Sequence, residues 1–412
     1  MKKKIISVLA VVVMLVFACG TAFSAEFSID LKGIKDTIKK DVKNAKSGKS
    51  SESTTGTAKA AAINTEPNSE DDFDWKVNDD FTEITITKYK GTRTDVVIPA
   101  TIQDVPVTRI GVEAFKDAKI TSVVIPKGVK KIERNAFYCR SSILTSVTLP
   151  ENVVIGSGAF SYCDSLQSIE IPKDCTLKEK AFSGCDKLES VTLPEGLKII
   201  PDSCFSGCFK LVNINFPSTL KYIGSWAFTG DHVSIAGKWT FRGCPLAALD
   251  FPEGLEFIGY KAFYTPIAST SLSLPKSLKW VCLDNAYRDG TTDYPTIYGD
   301  NINAITIAEG CAPKVIFRGE NKDSLDARDI IKGASIDKSL KLQKQLAALK
   351  LTKADKIDTR YDSTYAKNGS VKYKGKTYYF ISETSKALYD DLLKYGFSEE
   401  EAYSLIGQIE NN

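Results

Sequence analysis

The side chains best able to do chemistry in this chain are ten cysteines and a single histidine, His232. A thiolate can attack or bind metal, and an imidazole beside it supplies the base, so a Cys–His pair is the first constellation to test. The spacing argues against it. Cys163, Cys185, Cys208 and Cys244 each lie three residues after a Phe, with Cys139 one residue out of step. Positions that recur at a fixed offset from an aromatic are packing positions, and a small apolar thiol fills one well. Disulfides between neighbouring cysteines are the second reading in an exported chain. No Cys-x-x-Cys pair with the spacing of a zinc ribbon occurs, and Cys204 stands in an Ala slot before Phe205. A nucleophile using His232 would also need an orienting third group. Asp355, Asp358 and Asp362 are loosely clustered and read as a solvated turn. The expectation is a non-enzyme with no catalytic residue, metal or cofactor.

The elements that carry these cysteines repeat. An aliphatic- or Phe-Pro pair recurs with Pro at 99, 126, 150, 172, 194, 217, 252 and 275, and the successive differences are 27, 24, 22, 22, 23, 35 and 23. Between these pairs comes a second step, Ala114-Phe115, Ala136-Phe137, Ala159-Phe160, Ala181-Phe182, Cys204-Phe205, Ala227-Phe228 and Ala262-Phe263. Segments such as Leu166-Gln-Ser-Ile169-Glu-Ile171 alternate as short strands, and the proline that follows cannot donate to a ladder. One unit of this size closes no core, so neighbouring units must share one, Phe on Phe and Leu on Leu. The fold expected is an α/β-type repeat solenoid with one short parallel strand per coil of roughly 23 residues.

Strand residues that point away from such a core form two columns. The first is Ser122, Ser146, Ser168, Ser190, Asn213, Ala248 and Ser271; the second is Val124, Thr148, Glu170, Thr192, Asn215, Asp250 and Ser273. They would pave the concave face with small, polar, mostly neutral groups, either as a solvated sheet face or as a shallow partner-binding surface. Glu170, Thr192, Asn213, Asn215 and Asp250 are the candidate partner contacts. The 35-residue interval from Pro217 to Pro252 holds an extra segment, about residues 229–240, with His232 and Trp239. It reads as a looped-out insertion or, by preference, as a degenerate half-repeat folded into the core.

Composition sets limits on partners. The 412 residues are 43% apolar and 25% charged, as in a soluble core-forming protein, with a formal charge of +3. Lys2, Lys3 and Lys4 carry three of those charges, so a chain without them is near 3 − 3 = 0. That excludes a strong nucleic-acid binder, which needs clustered excess Lys and Arg. The same lysines, the apolar run Ile5–Ala18 and the small residues after it read as a signal peptide over residues 1–24. Two processing routes are open. Ala22-Phe23-Ser24 suits cleavage before Ala25, whereas Val16-Phe17-Ala18-Cys19 suits lipidation of Cys19, which would be the only membrane contact. Residues 25–72 read as an amphipathic helix (27–46) followed by a flexible Ser/Thr/Gly-rich linker.

The unit Leu-x-x-Ile/Val-x-Ile/Leu-Pro…Ile-Gly/Pro…Ala-Phe-x-x-Cys resembles the BspA-type leucine-rich repeat of bacterial surface proteins. The stretch from Trp75 through Ile84-Thr-Ile-Thr, Val97-Ile-Pro and Val105-Pro-Val-Thr-Arg-Ile-Gly111 resembles that family's N-terminal capping unit. The resemblance spans about residues 73–318. It implies an exported or surface protein that adheres to host, matrix or other cell-surface proteins, and it brings no catalytic residues. The competing reading is a structural envelope spacer with no specific ligand.

Residues 319–412 read as a small α+β domain of open role. Its expected parts are a helix over Ile336–Leu351, a hairpin from Val371 to Ile381 turning at Gly375, and two helices. Gly396 would cap the first of these, and Ser398 with Glu401 would form a capping box for the second.

Overall fold

The computed structural model describes residues 66–140, 143–230, 232–235, 238–241, 243–264, 267–284, 295–318, 325–353, 370–373, 376–379, 383–394, 399 and 402. The signal peptide with Cys19, the helix over 27–46, most of the linker, Gly375, Gly396, Ser398 and Glu401 lie outside them.

Each coil begins with a two- to four-residue strand that binds its neighbours in parallel. Asp95–Val97, Ser122–Val124 and Ser146–Thr148 form one ladder. Ser168–Glu170, Ser190–Thr192 and Asn213–Ile214 form a second, and Leu249–Asp250, Ser271–Leu274 and Ala304–Ile307 a third. The central side chains Val123, Ile169, Val191 and Leu272 are buried. Proline then stops the strand and opens a turn. The carbonyls of Pro126, Pro194, Pro217, Pro252 and Pro275 each accept the N–H of the aliphatic residue three positions on.

The return path carries a second short strand, which adds to the one per coil read from sequence. Val105–Ile110, Lys131–Ile132, Val154–Ile155 and Thr176–Leu177 pair in parallel. Ile199–Ile200, Tyr222–Ile223, Phe257–Ile258, Trp280–Asp284 and Lys314–Arg318 do the same. Most of these strands are two residues long, too short to show alternation; the neighbouring coil, rather than the local sequence, defines them.

Between the two ladders the Ala-Phe step turns the corner. The residue before each Ala or Cys adopts the left-handed conformation: Glu113, Asn135, Gly158, Lys180, Ser203, Trp226 and Lys261 have φ between 49° and 61°. Only one of the seven is glycine, so the corner accepts a conformational cost in nearly every coil. The cost is offset by what the corner aligns. The Phe N–H donates to the carbonyl of the Ala or Cys one coil on, from Phe115–Ala136 to Phe228–Ala262, at 2.7–3.0 Å. The rings then stack along the axis. Centroid spacings are 4.7 Å for Phe115–Phe137, 4.9 Å for Phe137–Phe160, 5.4 Å for Phe160–Phe182, 5.8 Å for Phe182–Phe205 and 5.6 Å for Phe205–Phe228. Strand spacing of about 4.8 Å sets that repeat. Each buried Phe contributes about 1.5–3 kcal/mol by removal from water. Gly156 is required by closeness: a Cβ there would sit 2.5 Å from the Ile132 carbonyl oxygen of the preceding coil.

The N-terminal edge is closed by an antiparallel pair, Phe73–Val77 with Ile84–Tyr89, and the latter strand pairs in parallel with Val105–Ile110. The Asn78 side-chain oxygen accepts the N–H groups of Thr82 and Glu83 at 2.9 Å and fixes the turn. Phe73 and Tyr89 put their rings against Phe115, so the aromatic file has a lid. Covering the open end of a stack is what a repeat array requires of its first unit.

At the other end, described residues on both sides of 318 pair with each other. Lys314–Arg318 pairs in parallel with Thr352–Lys353, and Ile297–Tyr298 with Ile331–Lys332. Three short helices, Ala327–Ile330, Ala334–Lys338 and Leu340–Leu346, add Ile330, Ile336, Leu342 and Leu346 to the same buried cluster. The single helix expected over 336–351 is divided at Ser339, whose hydroxyl accepts the Leu342 N–H and starts a new helix. Ser370–Tyr373 and Lys376–Tyr379 form the expected antiparallel hairpin, and Glu383–Lys394 is helical.

Candidate interaction surface

The outward strand residues fall in register. Ser168 faces Ser190 and Ser190 faces Asn213, while Glu170 faces Thr192 and Asp250 faces Ser273. Glu170, Thr192, Asn213 and Asp250 are exposed. The ladder brings Glu170 and Thr192 side by side, with Asn213 beside Ser190, and leaves Asp250 on a separate ladder. Asn215 has a different job. Its side-chain oxygen accepts the Leu193 N–H and its amide donates to the Leu193 carbonyl, both at 2.7 Å. The side chain thus replaces a strand's backbone pairing where the ladder ends after Ile214, and both polar atoms are committed.

The cysteine column is buried. Cys163, Cys185, Cys208 and Cys244 are free thiols with no solvent exposure. Each Sγ donates to the carbonyl of a Phe in the preceding coil, at 3.5, 3.2, 3.2 and 3.1 Å for Phe137, Phe160, Phe182 and Phe205. Those carbonyls point inward at the corner, so the thiol supplies a weak donor where only a small side chain fits. Burial holds the thiols of Cys185 and Cys208 well above the ordinary range, and pushes Cys311 up to about 11. Such groups are poor nucleophiles near neutral pH. Among the described residues no cluster of three His, Cys, Asp or Glu could hold a metal ion. None of the described helices is long and apolar enough to cross a membrane.

The extra segment between Pro217 and Pro252 is a hairpin of its own, His232–Ile235 with Lys238–Phe241, joined to no other strand among the described residues. The segment is therefore a hairpin and not a half-repeat adding a strand to the coil ladders. Phe228 keeps the place in the aromatic file, 5.1 Å from Phe263, while Cys244 resumes the thiol column beyond the insertion. Phe241, the near-copy of the Phe position, belongs to the hairpin strand.

A second exposed feature escaped the sequence reading. At the corner after the Phe step, the Tyr138 and Tyr162 rings meet edge to face at 5.4 Å. The Arg140 guanidinium lies 4.9 Å from the centre of the Tyr162 ring, and its Nε donates to the Tyr138 hydroxyl at 2.9 Å. Lys116 sits 5.9 Å over Tyr138 and pairs with Glu113 at 3.0 Å. Tyr162 is 36% exposed and has φ 61°, at a corner position that the next two coils fill with Gly184 and Gly207. A signal was present in the spacing. Cys163–Leu166, Cys185–Leu188 and Cys208–Leu211 are three apart, whereas Cys139–Leu144 are five apart. Cys139 itself comes one residue early, two after Phe137 instead of three, so from Phe137 to Leu144 the coil is one residue longer than from Phe160 to Leu166.

Comparison with known proteins fits this geometry. The family model described as BspA type leucine rich repeat region matches in six copies, over residues 108–233 and 229–288. Among solved structures, the leucine-rich repeat protein TpLRR of T. pallidum is similar at 27% identity, covering 40% of this chain and 88% of that one, with a TM-score of 0.33. A leucine rich cell surface protein of Faecalibacterium prausnitzii is similar at 21% identity, covering 60% and 96%, with a TM-score of 0.35. The pneumococcal vaccine antigen PcpA is similar at 13% identity, covering 70% and 99%, with a TM-score of 0.29. No curated protein sequence matches the chain.

Proposed function

We propose, from the premise that residues 108–288 are BspA-type leucine-rich repeats, that this protein is exported and binds partner proteins at the cell surface. One observation carries the reading. Side chains at equivalent positions of successive coils stand outward and in register, Ser168 beside the half-buried Ser190 beside Asn213 and Glu170 beside Thr192, with Ser168, Asn213, Glu170 and Thr192 exposed. A surface of this kind offers area and hydrogen bonds to a protein rather than enclosure to a small molecule. The repeat supports the scaffold part of the reading, and the leader residues Lys2–Lys4 and Ile5–Ala18 support export. Anchoring follows from processing: a lipidated Cys19 would hold the protein on the membrane, and cleavage before Ala25 would release it.

The test is binding of the full chain to extracellular-matrix proteins and host cells. Saturable binding that weakens when Glu170 and Thr192 are both changed to Lys is the expected result. Absence of saturable binding to either would overturn the adhesion reading. Mass spectrometry of the mature N-terminus distinguishes a diacylglyceryl-modified Cys19 from a free Ala25.

A further inference from the structure

We infer that the corner built by Lys116, Tyr138, Arg140 and Tyr162 is an anchor point for a protein partner and takes a carboxylate side chain from an acidic segment of it. The inference rests on the protein-binding reading for the class of partner, and adds a place and a chemistry. Arg140 is exposed, yet its guanidinium is already fixed, bonded through Nε to Tyr138 and laid against Tyr162. No carboxylate pairs with it among the described residues, whereas Lys116 is matched by Glu113. A cation held in one orientation and left without an acid has its ordering cost met in advance. Its fork geometry suits a carboxylate. Tyrosine and arginine packed together are also the side chains that dominate protein interfaces.

Two features argue that the corner is kept for contact rather than for folding. Tyr162 holds a left-handed backbone (φ 61°) where Gly184 and Gly207 occupy the same place at φ 74° and 77°. Asp117 holds the same place two coils earlier at φ 56°, so the left-handed backbone belongs to the corner; what sets Tyr162 apart is an exposed aromatic side chain where the next two coils carry none. Next, Gly184 leaves room for the ring: a Cβ there would come within 2.7 Å of the Tyr162 Cδ1 atom. With Gly184 against it from one coil and Arg140 from another, the Tyr162 ring has little open face for stacking a sugar. What it presents is its edge and hydroxyl, beside the guanidinium. Ile143, three residues after Arg140, is an exposed aliphatic that suits an apolar neighbour of the incoming acid.

The experiment uses the full chain and a fluorescein-labelled peptide of alternating Glu and Leu, followed by fluorescence anisotropy. Saturable binding is expected, with affinity at least tenfold weaker for Arg140→Gln and for Tyr162→Gly. Tyr162→Gly should at the same time keep or raise the Tm, because it installs the residue used in the next two coils. Unlabelled heparin should fail to compete, and the matching Lys-Leu peptide should fail to bind. Affinity unchanged from the parent chain in either variant, no saturable binding, or a Tm loss for Tyr162→Gly with binding intact would each overturn the inference. Competition by heparin would overturn it in favour of a general anion site. None of these outcomes touches the strand-face reading, which is scored on matrix and cell binding by the Glu170 and Thr192 variants.

Discussion

The outer column of the return path is wet over the four coils from Arg109 to Thr176 and dry over three later coils, between the half-buried Ile199 and the exposed Lys314. Arg109, Lys131, Val154 and Thr176 occupy one outward column of successive coils, and all of them reach solvent. At the corresponding register positions further along stand Tyr222, Phe257 and Trp280, which are 1%, 2% and 7% exposed. The inward neighbours are alike in both stretches: Ile110, Ile132, Ile155 and Leu177 against Ile223, Ile258 and Val281, all buried in one cluster. The core side of a coil is thus fixed by stacking on its neighbours, while the outer side is free to be polar or apolar. Tyr222 and Phe257 use that freedom to stack at 4.4 Å, and burial raises the Tyr222 hydroxyl well above its ordinary range.

The comparison can be broken at several points. The largest effect belongs to the shared core. Phe182→Ala, in the middle of the aromatic file, should cost about 3–5 kcal/mol in urea unfolding. Next comes the outer column. Tyr222→Ala should cost about 3 kcal/mol or more, while Thr176→Ala, at the corresponding position of the wet stretch, should stay within about 0.5 kcal/mol. Equal costs at the two positions would remove the distinction between the stretches.

A smaller effect comes from the thiols. Burial raises Cys311 to about 11 in the folded chain from an ordinary value near 9. The folded state therefore keeps its proton while the unfolded state loses it. The stability tied to this thiol is fully present below pH 9 and is lost as pH rises toward about 11. Thermal melts across that window should show a falling Tm, and replacing Cys311 with Ala should flatten the slope. The smallest effect concerns the corners. Lys180 has φ 57°, so Lys180→Gly should leave stability unchanged or raise it by no more than about 1 kcal/mol, relief of strain being opposed by added chain entropy.

What the sequence disclosed and what it hid follow the same division. The Ala-Phe step, the Pro-ended strand and the Cys column were legible because each recurs at fixed spacing and each is a stacking contact. The two-residue return strands were not, since a pair such as Lys131-Ile132 has no periodicity of its own and becomes a strand only through the Arg109-Ile110 and Val154-Ile155 pairs beside it. Residues 325–353 escaped for a related reason: their helices lack the repeat motif and join the core only by position. On the candidate surface, Glu170, Thr192, Asn213 and Asp250 were placed outward by simple alternation. Asn215 was also placed outward, but its commitment to Leu193 depends on where the ladder ends. The Tyr138–Arg140–Tyr162 corner is a departure from the repeat, and a reading built on regularity passes over departures.

A crystal structure of the protein tests the central claim most directly, through the spacing of Phe137, Phe160, Phe182 and Phe205. The account predicts one file of rings with successive centroids about 5–6 Å apart, as strand spacing dictates, and Ser168, Ser190 and Asn213 in parallel register. Rings distributed among separately closed cores, or the same segments paired as antiparallel hairpins, would contradict it.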